Sequence, residues 1–212
     1  MLHASPLTPP ASRIYLASRS PRRRELLRQI GIGFEVLPAH AHLPHDADVD
    51  ETPLANEAPV AYVTRIALAK AAMGWRRVVM HNLPARPVLA ADTTVVLDGT
   101  IIGKPEHAEH ARQLLRRLSG KTHQVLTAIA AVCENRSETA LSTSAVEFRE
   151  LGDDEIRRYV ASGEPLDKAG AYAIQGRAAV FVRAISGSYS GVMGLPLYET
   201  AELLRRFEIE PI

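Results

Sequence analysis

Nine polar side chains interrupt apolar or tightly turned stretches of this 212-residue chain: Arg22, Arg23, Glu51, Lys70, Asp92, Lys104, Asp167, Lys168 and Gln175. Their types are those that phosphate chemistry needs. Cations from separate segments neutralise a polyphosphate. Carboxylates hold a divalent metal and activate water, and magnesium is held by one or two carboxylates plus substrate oxygens. Phosphoanhydride hydrolysis uses that set: a metal across phosphate oxygens, cations against developing charge, and a base orienting water. Gln175, both donor and acceptor, suits the edge of a nucleobase. Each residue also has an ordinary role open to it. Asp92 can cap a turn, Lys70 and Lys104 can be solvated, Asp167-Lys168 can be a surface ion pair worth little, and Gln175 can satisfy backbone beside Gly176.

The elements that must position these groups start at Ile14-Tyr15-Leu16-Ala17, an apolar run that reads as a short strand. Ser20 then supplies an N-cap and Pro21 suits the first helical position, ahead of Leu26, Leu27 and Ile30 at helical spacing. Arg22, Arg23 and Arg24 in that first turn stand at the positive end of the helix dipole. An anion bound there removes the conflict, because free N–H groups and guanidinium forks would all face it. A solvated basic face is the competing reading.

Further along, Phe34-Glu35-Val36-Leu37 reads as a strand and residues 38–59 as a long polar connection. Pro59 opens a helix with Val63, Ile66, Ala67 and Lys70 along one side. The run Val88-Leu89-Ala90-Ala91 is expected to stop at Asp92-Thr93-Thr94 and resume as Val95-Val96-Leu97, with Asp98-Gly99 making a hairpin. A carboxylate inside such a run is costly unless paired, hydrated or bound to metal. Lys104 follows the hairpin, and Ala111, Leu114, Leu115 and Leu118 mark a helix that Gly120 ends. A long strand from His123 turns at Asn135-Arg136-Ser137 and returns to Phe148. Asp153 is expected to cap a helix bearing Ile156, Tyr159 and Val160, and Ala179-Val180-Phe181-Val182 to form a buried strand. Leu195-Pro196 opens a last helix with Ala201, Leu204 and Phe207 inward. Two hairpins interleaved with helices predict an α/β fold with a mixed sheet flanked by helices.

Composition narrows the function. With 25 basic and 24 acidic residues the net charge is +1, which argues against a general nucleic-acid binder. Cys133, the only cysteine, forms no internal disulfide and reads as a buried thiol in a reducing cytoplasm. Residues 1–13 read as a loose tail without a signal peptide, and no apolar run is long enough to span a bilayer. His40, His42 and His45 lack helical ligand spacing and read as a surface loop. Neither a G-x-G-x-x-G nor a P-loop motif is present.

At these residues the chain closely resembles the Maf proteins, septum-formation-inhibitor-like nucleotide pyrophosphatases. The likeness runs in order from Leu16-Ala17-Ser18 and Ser20-Pro21-Arg22-Arg23 through Asp50-Glu51, Ala67-Leu68-Ala69-Lys70-Ala71 and Ala91-Asp92-Thr93. It continues through Gly103-Lys104-Pro105, Leu118-Ser119-Gly120-Lys121-Thr122-His123 and Asp167-Lys168-Ala169-Gly170-Ala171-Tyr172, then Ile174-Gln175-Gly176 and Gly194-Leu195-Pro196. The resemblance implies hydrolysis of a nucleoside triphosphate to the monophosphate and pyrophosphate with Mg2+ or Mn2+. It also implies one two-lobed domain over residues 14–212 with a central cleft, similar to inosine-triphosphate pyrophosphatases. Asp92 matches the proton acceptor; Arg22, Thr93 and Gln175 match the substrate-specificity positions. Ser20, Arg22, Arg23, Lys70 and Lys104 are then expected at phosphate, and Glu51 with Asp92 at metal. The Gln175 context resembles the dTTP/UTP subgroup, with modified pyrimidine triphosphates as further substrates. A 7-methyl-GTP pyrophosphatase and a nucleotide-binding regulator of septum formation are the alternatives. The expected partner is the nucleoside triphosphate, with no stable nucleic acid and no membrane, and room for a homodimer. Two departures stand out: a longer, histidine-rich 38–49 loop, and Ala173 where glycine is more usual.

Overall fold

The computed structural model describes residues 13–37 and 49–211. The first twelve residues of the expected tail, and His40, His42 and His45, lie outside the described residues. Seven strands form one mixed sheet: β1 (Arg13–Leu16), β2 (Gly33–Val36), β3 (Val88–Leu97), β4 (Thr100–Ile102), β5 (Thr122–Cys133), β6 (Arg136–Phe148) and β7 (Val182–Ser186). The order is β2-β1-β3-β5-β6-β7, with β4 paired to β3. β1 runs parallel to β2 and β3, and the remaining pairings are antiparallel. Among the described residues six α-helices flank it: α1 (Pro21–Gln29), α2 (Pro59–Met80), α3 (Ala108–Leu118), α4 (Asp153–Ala161), α5 (Tyr189–Met193) and α6 (Leu197–Arg205). This is the mixed α/β architecture the interleaved hairpins predict. None of the described helices is long and apolar enough to cross a membrane.

The two faces of β3 are packed differently, and the difference creates the cleft. Ala90 and Val96 face α2, in one apolar cluster with Val63, Ile66 and Ala67. On the opposite face, Leu89 and Ala91 belong to a cluster with α1 and α6, whereas Val95 and Leu97 belong to another with α3 and α4. Between those clusters a row of hydroxyls crosses the sheet, because Thr93 pairs with Thr127 and Thr127 with Ser142. Strand alternation puts all three on one face. A polar row through an apolar face divides the core there, and α5 lies over it, with the Gly191 carbonyl accepting from Thr127 Oγ1 at 2.7 Å.

Several local expectations need correction. β3 does not stop at Asp92; it runs unbroken from Val88 to Leu97, with Asp92 opposite Ala128 and Thr93 opposite Thr127. Both polar side chains find partners, so neither breaks the ladder. Residues 179–182 are not a buried strand. A 3-10 turn occupies Arg177–Phe181 and β7 starts at Val182. Only Ala178 and Phe181 are buried within that turn, a spacing of three, while Val180 is 66% exposed. Gly152, not Asp153, is the N-cap of α4, and the Asp153 carboxylate instead accepts from Arg116 Nε at 2.7 Å. The β5–β6 turn is Glu134-Asn135, since Cys133 pairs with Arg136. Cys133 itself is half-buried, its thiol pKa raised first by burial. In α6, Thr200, Leu203 and Leu204 point inward and Ala201 is half-buried, because the helix begins at Leu197 with Pro196 as its cap; Phe207, also half-buried, lies in the turn beyond its end at Arg205.

Candidate active site

The β1–α1 loop is built by its own hydroxyls. Ser20 Oγ caps α1 by accepting from the Arg23 N–H, and the Ser20 N–H donates to Ser18 Oγ at 3.2 Å. Pro21 opens the helix, whose first turn carries no acidic residue. The three arginines part company here. Arg22 is half-buried in the wall of a cavity of about 480 Å³. Arg23, likewise half-buried, braces the wall: its Nε donates to the Gly194 carbonyl at 2.7 Å, with longer contacts to Ser18 Oγ and Thr93 Oγ1. Burial lowers the Arg23 pKa, and Asp92 opposes that. Two of its five N–H groups remain for a ligand. Arg24 turns away and donates to the Arg19 carbonyl at 3.4 Å.

Asp92 is 8% exposed in mid-strand and lines the same cavity. Lys70 reaches it from α2: Nζ lies 2.8 Å from Asp92 Oδ1 and 2.6 Å from Glu51 Oε1. Lys70 therefore reaches into the site instead of snorkelling outward. Lys104 stands 3.9 Å from Glu51 Oε2. Burial works against Glu51 ionising, but the Lys70 hydrogen bond and charge, with Lys104 and Arg23, outweigh it and hold the carboxyl below its ordinary value. Tyr62 Oη donates to the Glu51 carbonyl at 3.0 Å, tying the segment after the 38–48 stretch to α2. Burial, then the Asp92 and Glu51 charges, push the Tyr62 pKa up to about 12, so its hydroxyl stays a donor.

Thr93 anchors a directed chain of hydroxyls. Thr127 Oγ1 gives its proton to the Gly191 carbonyl, so Thr93 donates to Thr127 at 3.0 Å and accepts the Arg23 contact in turn. The far wall comes from residues between 167 and 175. Gly170 turns with φ 68°, and an added Cβ would lie 2.9 Å from Val95 Cγ2 on β3. Ala171 follows with φ 59°. That pair of left-handed residues swings Tyr172, Ala173, Ile174 and Gln175 along the cavity. Lys168 pairs with Asp167, and both line the cavity. Burial disfavours the Asp167 carboxylate, yet Lys168 and then Arg22 lower its pKa.

Ser20, Arg22, Arg23, Lys70, Asp92, Thr93, Lys104 and Gln175 thus line one cavity. Glu51 lines an adjoining cavity of about 300 Å³ that shares Ser20, Arg23, Lys70 and Lys104. Among the described residues, five basic side chains (Arg22, Arg23, Lys70, Lys104 and Lys168) line the larger cavity together with two acidic ones, Asp92 and Asp167. In a chain of net charge +1, that imbalance marks a site for a polyanion. Sequence reasoning missed Thr127, Arg19 and the Gly194 carbonyl. A threonine amid Val125–Val132 was a usable signal for the first; a backbone carbonyl leaves none.

Among the described residues no three His, Cys, Asp or Glu side chains gather to enclose an ion. Two carboxylates converging on one ammonium nevertheless fit a divalent cation whose remaining ligands come from substrate oxygens. Glu51 and Asp92 are the residues that would hold it.

The family model described as Maf-like protein matches residues 13–207. A dTTP/UTP pyrophosphatase of Nitrosospira multiformis is 59% identical over 93% of this chain and 96% of its own. Those of Dechloromonas aromatica and Aromatoleum aromaticum are 56% and 58% identical, over 94% and 95% of this chain and 100% and 98% of theirs. The solved Ham1 protein of Staphylococcus aureus overlaps 64% of this chain and 71% of its own at 16% identity with a TM-score of 0.43, too distant a likeness to argue from.

Proposed function

Because this chain belongs to the Maf-like proteins, we propose that its cleft hydrolyses dTTP and UTP to the nucleoside monophosphate and pyrophosphate. The observation that carries the reading is the basic cavity built around one buried carboxylate, with Gln175 at its rim. Arg22, Lys104 and the α1 N-terminus at Ser20 bind the triphosphate, and Arg23 holds the loop that presents them. Asp92 takes the proton of the attacking water. Lys70, bonded to Asp92 Oδ1, fixes the orientation of the carboxylate. A divalent cation on Glu51 and Asp92 would neutralise phosphate charge when bound. At the other end Gln175 pairs with the edge of the base, and Thr93 lies between the two ends. Hydrogen-bonded recognition of an edge discriminates better than apolar packing, because the wrong base leaves polar groups unpaired. A reducing cytoplasm suits the half-buried thiol of Cys133.

The test is purified protein with Mg2+ or Mn2+ and a panel of dTTP, UTP, CTP, ATP, GTP and 7-methyl-GTP, with products separated. Pyrophosphate released chiefly from dTTP and UTP is expected. Release of single phosphate, or preferred turnover of 7-methyl-GTP, would overturn the assignment.

A further inference from the structure

Gln175 sits exposed at the rim, on a short turn with no strand or helix to hold it. The contacts that hold it lie behind the turn, outside the cavity wall. Gly163, with φ 76°, ends α4 and starts a 3-10 turn over Glu164–Asp167. Glu164 stands at the start of that turn, and one of its oxygens serves each flank of the Gln175 segment. Oε1 accepts from Tyr159 Oη at 3.0 Å, and Tyr159 Oη accepts from the Ala173 N–H at 3.3 Å. Oε2 accepts from the Arg177 N–H at 3.1 Å. The segment from 173 to 177 is thereby bracketed by one carboxylate, and the Gly176 N–H closes it internally on the Ala173 carbonyl at 2.9 Å. Tyr159 is rooted in the core, 5% exposed on α4, with its ring 5.1 Å from that of Phe181. Burial, then the Glu164 charge, push its pKa well above that of an ordinary phenol, so the hydroxyl stays a donor to Glu164. Gly176 completes the fit. A Cβ there would lie 2.4 Å from Glu164 Oε1, closer than any real contact allows.

We infer that Glu164, carried by Tyr159, is a positioning residue for nucleobase selection: it holds the 173–177 turn so that Gln175 meets the edge of a pyrimidine. The inference rests on the reading of Gln175 given above. Glu164 touches neither the phosphates nor the reacting atoms, so its loss loosens base discrimination while the chemistry at Asp92 persists.

The experiment compares kcat/KM for UTP with that for GTP in the wild type, Glu164→Ala, Glu164→Gln, Tyr159→Phe and Gln175→Ala, with melting curves to verify folding. Gln175→Ala is expected to shrink the UTP preference on the order of tenfold. Glu164→Ala should shrink it to a similar extent, chiefly through KM for UTP. The two effects should not add in the double variant, since both act through one side chain. Glu164→Gln keeps an acceptor for only one flank and should fall between, as should Tyr159→Phe, which keeps the fold if Glu164→Ala does not. Gly176→Ala should cost less in the Glu164→Ala background, where the clash is gone. A shifted preference in Gln175→Ala with an unchanged one in Glu164→Ala and Tyr159→Phe overturns the inference alone. An unchanged preference in Gln175→Ala overturns the reading of Gln175 and the inference with it.

Discussion

The two ends of the cleft are built by different means. At the phosphate end the charged groups ride on regular elements: Asp92 in mid-strand, Lys70 in the middle of a 22-residue helix, Arg22 in the first turn of α1. Their backbones are fixed by ladders and helical hydrogen bonds whatever the side chains do. At the base end the lining comes from residues between 167 and 175, where 3-10 turns, a left-handed alanine and hydrogen bonds to the Glu164 carboxylate behind them hold the chain. Rigid elements place reacting groups accurately, while irregular segments can change shape without disturbing the sheet. One end is therefore suited to chemistry and the other to choice of base, and substitutions at the two ends should fail differently.

The largest effect is expected at the phosphate end. Asp92→Asn keeps shape and removes the base, so kcat should fall by about 10²–10⁴-fold while dTTP binding, followed by calorimetry, changes little. Turnover at the wild-type rate would remove Asp92 from the chemistry. Lys70→Met comes next. It leaves Asp92 and Glu51 as neighbouring carboxylates with their shared counter-charge gone, and a loss of about 10²-fold in kcat/KM is expected, the scale for one electrostatic contact to a reacting centre. The Glu51 pKa should rise, because Lys70 is the strongest influence lowering it. A Glu51 titration unmoved in this variant would show that the two do not share the ammonium.

The base end offers a pH test that leaves the chemistry untouched. His123 backs Tyr172, with Nε2 2.9 Å from the phenol oxygen, and no described group partners its Nδ1. Burial depresses its pKa to about 4 from 6.5. Above pH 6.5 the ring is neutral folded or unfolded and costs nothing. Between pH 6.5 and about 4 the unfolded chain binds a proton that the folded one refuses, so stability falls as pH falls. The full shift corresponds to about 3 kcal/mol. Urea midpoints across that window should slope steeply in the wild type and less in His123→Leu; equal slopes would show that His123 is not the group responsible.

The same contrast explains what could be read in the chain before its structure. Ser20-Pro21, the Asp98-Gly99 turn and the leucines of α3 were legible because caps, turns and helical periodicity are local signals. The chemical residues were legible as anomalies, charges where apolar residues are cheaper. The placement of Lys70 against both Asp92 and Glu51 was not, since it depends on α2 crossing the face of β3 that carries Ala90 and Val96. A buried strand over 179–182 is the wrong expectation because Ala-Val-Phe-Val has the composition of a strand, whereas the Glu164 bond to the Arg177 N–H and the close approach at Gly176 favour a tighter turn. Those contacts span 13 and 12 residues and leave no local trace. Glu164 itself looked like one more charge in a polar loop.

The smallest effect should come from the seam where the two ends meet. Thr127 joins them: its proton goes to Gly191 on α5, and its oxygen receives that of Thr93, which in turn meets Arg23. Thr127→Val preserves volume but removes one of the two hydrogen bonds at the Gly191 carbonyl, which keeps the Gly194 N–H at 2.9 Å, and takes away the acceptor of the half-buried Thr93 hydroxyl, a cost of about 1 kcal/mol in stability. Because Arg23 keeps its stronger bond to Gly194, the loop before α1 should hold, and kcat should fall less than in Lys70→Met. Thr127→Ser restores the hydroxyl and should recover most of the loss, at the expense of one buried methyl. A valine variant as stable as the wild type would mean that the hydroxyl row merely fills space. A serine variant no better than valine would give the methyl as large a share of the stability as the hydroxyl, because serine loses only the first and valine only the second.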